Sequence, residues 1–252
     1  MVFAVSEREY SLAFETSGDL GGVALGRGDR ILATRLLSGP RRHAVEFLAT
    51  IAALCGDHSV EPNAVRNIYV SIGPGSFTGL RIGMTVARLL AFAHGARIAA
   101  VPTLEAIAQN AAAIEQPPKR LVVMLDAKRS HVYAATFELH DGVYRALCDP
   151  AEVEPLSCRE SNDRATAYMG KGATLYREAL RAAGGVILPE TISAPNVDTV
   201  YRIGLQRACR GLFVEPHKLI PLYVRLPEAE EKWRKRHESS GRVLEDATGV
   251  DS

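Results

Sequence analysis

Ser11-Leu12-Ala13-Phe14-Glu15-Thr16-Ser17 reads as a short apolar strand ending in polar residues. The glycine-rich turn Gly18 to Gly22 leads to a second strand, Val23-Ala24-Leu25, and Gly26-Arg27-Gly28-Asp29 turns into a third, Ile31 to Leu36. After Gly39-Pro40 the spacing predicts a helix from about Arg41 to Cys55. A strand at Asn67 to Ile72 then enters a glycine run that opens a second helix reaching His94. The same order recurs downstream. Leu121-Val122-Val123-Met124-Leu125-Asp126 is an apolar strand ending in a carboxylate. It is followed by the turn Ala127 to Ser130, an alternating strand His131 to Leu139, the hairpin turn His140-Asp141-Gly142 and the strand Val143 to Cys148. A strand near Ala167 to Gly170, a helix at Thr174 to Ala183, a strand at Val186-Ile187-Leu188 and a helix at Val197 to Cys209 complete the copy. Two copies of β-β-β-α-β-α predict a duplicated α/β fold with a mixed sheet in each lobe. The expected lobes are 1–110 and 111–231, joined through Glu115-Gln116-Pro117-Pro118-Lys119, with a flexible tail at 232–252.

This plan resembles the actin-like ATPase and sugar-kinase fold, in which nucleotide sits between two ribonuclease-H-like lobes. The resemblance directs attention to Glu15 and Asp126, the carboxylates that end the two equivalent first strands. Either they flank a metal-bound phosphate or they cap their own turns, and the sequence leaves both readings open.

Composition is that of an ordinary soluble globular protein: 47% hydrophobic and 23% charged residues in a chain of 252. No apolar stretch approaches the roughly 18 residues that span a bilayer. The start lacks a basic segment followed by an apolar run, so the expected location is cytoplasmic. A net charge of +1 supplies no global field for nucleic acid. Cys55, Cys148, Cys158 and Cys209 form no CxxC pair and read as small apolar residues.

The run Gly73-Pro74-Gly75-Ser76-Phe77-Thr78-Gly79-Leu80-Arg81-Ile82-Gly83 sits between a strand and a helix, where backbone N–H groups can hold an anion. Its spacing fits neither phosphate-loop template. Leu80-Arg81 stands where a Walker A loop needs Lys-Ser/Thr, and the third glycine of a dinucleotide fingerprint falls one residue late. The alternative is a tight strand-to-helix turn in which Pro74 and the glycines set the backbone and Ser76 or Thr78 caps the helix.

The letters of this run, however, closely resemble the signature of the TsaB (YeaZ) family of bacterial tRNA threonylcarbamoyladenosine biosynthesis subunits. Other segments agree in order. Ala13-Phe14-Glu15-Thr16-Ser17 is similar to the family's first strand, and Arg42-His43 begins the first helix. Val101-Pro102-Thr103-Leu104-Glu105-Ala106-Ile107-Ala108 follows the second helix. Leu125-Asp126-Ala127-Lys128-Arg129-Ser130-His131-Val132-Tyr133 opens the second lobe, and Pro221-Leu222-Tyr223-Val224-Arg225 resembles the closing motif. The match runs from about Leu12 to Glu231. Two departures stand out: His43-Ala44-Val45 replaces the family's His-Ser-Glu, and the tail from Lys232 matches nothing recognised.

The resemblance implies a non-catalytic scaffold or activator rather than an enzyme. Such a subunit pairs with the catalytic paralogue TsaD, in a complex that transfers a threonylcarbamoyl group to N6 of an adenosine in tRNAs reading codons that begin with A. It further implies TsaE and tRNA as partners through that complex, no cofactor on this chain, and ATP and a metal on TsaD. A homodimer is expected in isolation. The family's TsaD carries a His-x-x-x-His metal motif. Here His43, His58, His94, His131, His140, His217 and His237 include no two that are four apart, which disfavours a metallopeptidase, and no G-x-S-x-G elbow is present. The runner-up is a nucleotide-dependent phosphotransferase using Glu15 and Asp126. A third possibility is an interaction module of some other assembly.

A scaffold needs an interface, and both predicted first-lobe helices carry two apolar stripes. On the first, Ala44, Leu48, Ile51 and Cys55 form one stripe and Phe47 and Leu54 another. On the second, Leu80, Met84, Ala87 and Ala91 form one, and Ile82, Val86, Leu89 and Ala93 the other. The family pairs these helices with the equivalent pair of TsaD as a four-helix bundle. The expected interface comprises His43, Phe47, Leu54, Arg81, Met84 and Arg88, with Gly73 to Gly79 as the signature turn. On this expectation Phe47→Asp abolishes co-purification with TsaD and leaves the monomer folded. In the tail, Trp233 among Lys232, Arg234, Lys235 and Arg236 offers a base-stacking contact, which the acids Glu228, Glu230 and Glu231 offset, so that a solvated helix end is the plainer account.

Overall fold

A computed structural model describes residues 5, 8–37, 43–158 and 166–225, without the side chains of residues 43–45. Residues up to Leu222 belong to one compact unit, within which two sheets form. The first sheet contains β1 (Tyr10–Glu15), β2 (Gly22–Arg27), β3 (Arg30–Leu36), β4 (Val65–Gly73) and β5 (Arg97–Pro102) in the order β3-β2-β1-β4-β5. Short turns join β1, β2 and β3 as antiparallel neighbours, whereas β4 and β5 follow helical crossovers and run parallel to β1. The second sheet repeats this arrangement with β6 (Arg120–Lys128), β7 (His131–His140), β8 (Val143–Ala146), β10 (Thr166–Met169) and β11 (Val186–Ile187) in the order β11-β10-β6-β7-β8. In each sheet the first strand is central, its hairpin partners lie on one side and the parallel strands on the other. The chain therefore has the duplicated, ribonuclease-H-like fold of actin-like proteins. One strand is additional to the expected set: β9 (Ala151–Val153) pairs with Val132 to Ala134 of β7.

The lobes differ in what covers them. In the first, α1 (His43–Asp57) and α2 (Phe77–His94) lie over one face, where Phe14, Leu54, Ile68, Val70, Leu80 and Met84 share a core and the Phe14 and Phe47 rings meet edge to face at 5.0 Å. Gly95, at φ 69°, ends α2. In the second, the helix expected at Thr174 to Ala183 is two short pieces, α4 (Lys171–Leu175) and α5 (Arg177–Ala182), broken at Tyr176, whose φ −105°, ψ 22° lies outside the helical region.

One expected assignment is corrected. The helix at Val197 to Cys209, read as the last element of the second lobe, is α6 (Val197–Cys209), and it packs on the free face of the first sheet. There the sheet offers Ala13, Ala24 and Ala99, small enough to admit a helix. Gly204 lies against the Tyr69 ring, the Tyr69 and Tyr201 rings cross at 5.3 Å, and the Tyr201 hydroxyl donates to Gly28 O at 2.8 Å. The chain then stays with this sheet. Val214 N–H donates to Ile98 O at 2.8 Å, Leu219 is buried in the helix-side core, and Leu222 N–H donates to Ile72 O at 2.7 Å. The first lobe is thus assembled from both ends of the described chain, with α3 (Thr103–Asn110) leading out toward β6.

Candidate functional site

Two places bear on function: the cleft where the two first strands end, and the outer surface of α1 and α2. A cavity of about 510 Å³ opens at the cleft, walled by Ser17, Asp19, Gly75 and Ser76 from the first lobe and by Asp126, Lys128 and Lys171 from the second. Glu15 is not among its lining residues. That side chain is fully buried, and its Oε1 accepts the Ser17 N–H at 2.5 Å, the Ser17 hydroxyl at 2.5 Å and the Gly18 N–H at 3.2 Å. Burial pushes the carboxyl above its ordinary range against the lowering effect of these bonds.

Asp126 faces the cleft and is taken by its own turn. Its Oδ1 accepts Lys128 N–H at 2.8 Å and its Oδ2 accepts Lys128 Nζ at 2.5 Å. Partial desolvation pushes this carboxyl up, but the Lys128 bonds and the nearby ammonium groups of Lys128 and Lys171 outweigh it and hold the group below the usual carboxylate range. Lys128, Arg129 and Ser130 all adopt positive φ (64°, 51° and 63°), a tight left-handed tip held by Asp126 and by a 2.8 Å contact of His131 Nδ1 with Arg129 O. Across the cleft, Lys171 Nζ pairs with Asp19 at 2.6 Å. Each of these two lysines already has a carboxylate. A metal-bound phosphate between Glu15 and Asp126 does not fit, because one carboxyl is turned into its own strand end and the other is engaged by Lys128. Among the described residues no group of three or more His, Cys, Asp or Glu side chains could hold a metal ion.

The glycine run occupies the junction of β4 and α2. Gly73 ends the strand at φ 106°, Ser76 is the N-cap with its Oγ accepting Gly79 N–H at 3.2 Å, and α2 starts at Phe77. Ser76 N–H donates to Ser17 O at 2.8 Å and Gly79 N–H to Ser76 Oγ, so these two donors are used inside the chain. Of the glycines at 73, 75, 79 and 83, only Gly73 requires a left-handed backbone. The other three are needed because α2 touches the β1–β2 turn through its backbone. A Cβ on Gly75 would stand 2.5 Å from Ser17 O, one on Gly83 2.5 Å from Thr16 Oγ1, and one on Gly79 would overlap Thr16 O. Positions 79 and 83 share one face of the helix, Gly75 precedes it at the same four-residue spacing, and that spacing was the available signal for a close approach.

The expected interface residues separate. Phe47, Leu54 and Met84 lie wholly inside the chain's own core, at 0%, 1% and 2% exposure. This corrects their assignment to a partner surface. A seven-residue spacing identifies a helix face but not which face meets the sheet, and the Phe47–Leu54 stripe meets it. The Phe47→Asp expectation falls with it, since a carboxylate there would sit unpaired in the core. Arg88 is also engaged internally, its guanidinium donating to Leu219 O. Arg81 is exposed, stacked 3.8 Å over the Phe77 ring. The side chains of His43, Ala44 and Val45 are not described, and Trp233 with the whole 226–252 segment lies outside the described residues. What the helices do present outward is Leu48, Ala49, Ala52 and Ala53 on α1, and Phe77, Leu89 and Phe92 on α2, with Phe92 90% exposed. Leu89 belongs to the expected second stripe of α2, and Phe92, three residues on and absent from that expectation, extends the exposed apolar surface.

Comparison with known proteins agrees with this architecture. The family described as TsaD, tRNA N6-adenosine threonylcarbamoyltransferase, matches residues 31–233. A tRNA threonylcarbamoyladenosine biosynthesis protein TsaB of Bacillus subtilis (strain 168) is 28% identical over 88% of this chain and 96% of its own length. The TsaB of Escherichia coli (strain K12) is 25% identical over 89% and 96%. The solved structure of YeaZ from Pseudomonas aeruginosa superimposes with a TM-score of 0.74 at 30% identity, covering 85% of this chain and 99% of that one. A two-lobed chain with this fold is of the actin-like class. Within that class it belongs to the TsaD-type family, in its TsaB (YeaZ) branch.

Proposed function

We propose that this chain takes part in the biosynthesis of threonylcarbamoyladenosine in tRNA as a non-catalytic accessory subunit. In this reading it pairs with a TsaD-type catalytic subunit through the outer faces of α1 and α2. The observation that carries the reading is the exposed apolar surface of those two helices, Leu48, Leu89 and Phe92 above all. Side chains of this size, set on a smooth field of Ala49, Ala52 and Ala53, suit helix-on-helix packing. The relatives named for this biosynthesis support the process, and the internally satisfied cleft supports a role without chemistry of its own. ATP and a metal belong to the TsaD partner, and TsaE and tRNA join through the assembly. Without TsaD the same surface serves a homodimer.

The deciding experiment is reconstitution of TsaC, TsaD and TsaE with tRNA, ATP, threonine and bicarbonate, with and without this chain. Modification that depends on the chain is expected, and equal product in both mixtures removes the proposal. Burial of Phe92 contributes ~2 kcal/mol to association. Phe92→Asp is therefore expected to abolish co-purification with TsaD while the unfolding midpoint stays at the parental value. Retained co-purification takes Phe92 out of the interface.

A further inference from the structure

Glu15 is the one fully buried carboxylate among the described residues, and the proposed pairing makes no direct use of it. Burying a carboxyl group is unfavourable unless hydrogen bonds replace its lost hydration. Here one oxygen gathers three donors from Ser17 and Gly18, while the other has no hydrogen-bond partner. What those bonds fix is the path of the chain through Thr16, Ser17 and Gly18. This turn is the floor on which α2 rests. Gly75, Gly79 and Gly83 meet the Ser17 carbonyl, the Thr16 carbonyl and the Thr16 hydroxyl respectively, and Ser76 N–H donates to Ser17 O at 2.8 Å. No helix side chain lies at these three contacts, so none is there to change rotamer and absorb a shift, and turn and helix move as one body. The same helix carries Leu89 and Phe92 outward.

We infer that Glu15 is a positioning residue for the partner-binding helix. By locking the Thr16–Gly18 turn it sets the height and tilt of α2, and hence the presentation of Leu89 and Phe92, without touching the partner. The identity of the partner rests on the TsaD pairing proposed above; the control of α2 by Glu15 does not.

The test compares the full-length chain with Glu15→Ala, which removes the acceptor, and Glu15→Gln, which keeps a carbonyl oxygen for the same three donors. Two quantities are read: amide hydrogen exchange along α2, with β6 and β7 as internal reference, and the dissociation constant for TsaD well below the unfolding temperature. In Glu15→Ala, α2 exchange is expected to rise ~10-fold while β6 and β7 are unchanged, with TsaD binding ~10-fold weaker. Glu15→Gln is expected to return both to within ~3-fold of the parent. Unaltered α2 exchange in folded Glu15→Ala overturns the inference. So does acceleration shared equally by all core strands, which marks a general loss of stability. Should Glu15→Ala fail to accumulate, Ser17→Ala, which deletes only the hydroxyl donor, decides by the same two readings. A parent chain that does not bind TsaD removes the pairing proposal, while the exchange measurement still judges Glu15.

Discussion

The two lobes use one device and put it to different ends. In each, a parallel strand returns beside the first strand and turns into a helix, and glycines at that junction lie against the first-strand segment: Gly79 on Thr16, just past β1, in one lobe, Gly170 and Gly172 on Met124 of β6 in the other. From that shared junction the first lobe launches an 18-residue helix and covers it with a 15-residue neighbour, whereas the second launches five residues and breaks. The carboxylates at the strand ends diverge as well, Glu15 turned inward and Asp126 held at the cleft by Lys128. Duplication supplied the sheet twice. Specialisation went into the helices of one copy and the loops of the other.

The sharpest way to break this comparison is at the helix layers. Phe47→Ala on α1 removes a ring from the first-lobe core and is expected to cost about 4 kcal/mol. Leu175→Ala, on the exposed side of the short α4, should cost less than about 0.5 kcal/mol. Urea unfolding of both variants checks the contrast, and equal effects would mean that the second lobe depends on its helices as much as the first. Next come the glycine junctions. Gly79→Ala drives a methyl group into the Thr16 carbonyl, for about 3 kcal/mol, while Gly172→Ala meets Met124 and Val132 side-chain atoms at 3.0 Å and should cost about 1 kcal/mol.

The strand-end carboxylates sharpen the comparison by titrating with opposite sign. Glu15 is raised in the folded chain, so the folded form holds its proton more tightly. Its contribution to stability is present below 4.5 and is lost as pH climbs from there through the native value. Asp126 is lowered, so its contribution is present above 3.8 and is lost as pH falls through the native value. Unfolding midpoints across a pH series should flatten on the upper limb in Glu15→Gln and on the acid limb in Asp126→Asn. Interchanged limbs would refute the difference in environment. The smallest effect belongs to the cross-cleft pair: Lys171 and Asp19 are both well exposed, and Lys171→Ala should change stability by about 0.5 kcal/mol or less.

Much of this architecture was legible in the chain. Strand order follows from hairpin turns such as His140-Asp141-Gly142, which force antiparallel neighbours, and from helical crossovers such as α2 between β4 and β5, which allow parallel ones. Local pattern also places the β4–α2 junction within the glycine run, where Ser76, one of the two caps it offers, is the N-cap. What it could not deliver was anything set by distant partners. The destination of α6 depends on Gly204 meeting Tyr69, 135 positions away in sequence by subtraction (204 − 69). Which stripe of α1 faces inward depends on Phe14 lying below Phe47. The Asp19–Lys171 pair carries no local signature at all. For Phe47, Leu54 and Met84 the interface expectation failed for the same reason: a large apolar residue at helical spacing fits a core and a docking surface equally well, and only burial separates Phe47 from Phe92.

The return of α6 to the first sheet bears on how the chain emerges from a ribosome. The face formed by Ala13, Ala24, Tyr69 and Ala99 is complete once about 100 residues are made, yet its cover is encoded at Val197–Cys209 and the closing contact at Leu222. Throughout that interval the nascent chain displays this sheet face without α6, with only Ala106 of α3 from its eventual cover already made. Synthesis order thus makes the first lobe, although encoded first, the last to be sealed, and a chain stalled before residue 197 would leave behind an adhesive half-protein rather than a stable lobe.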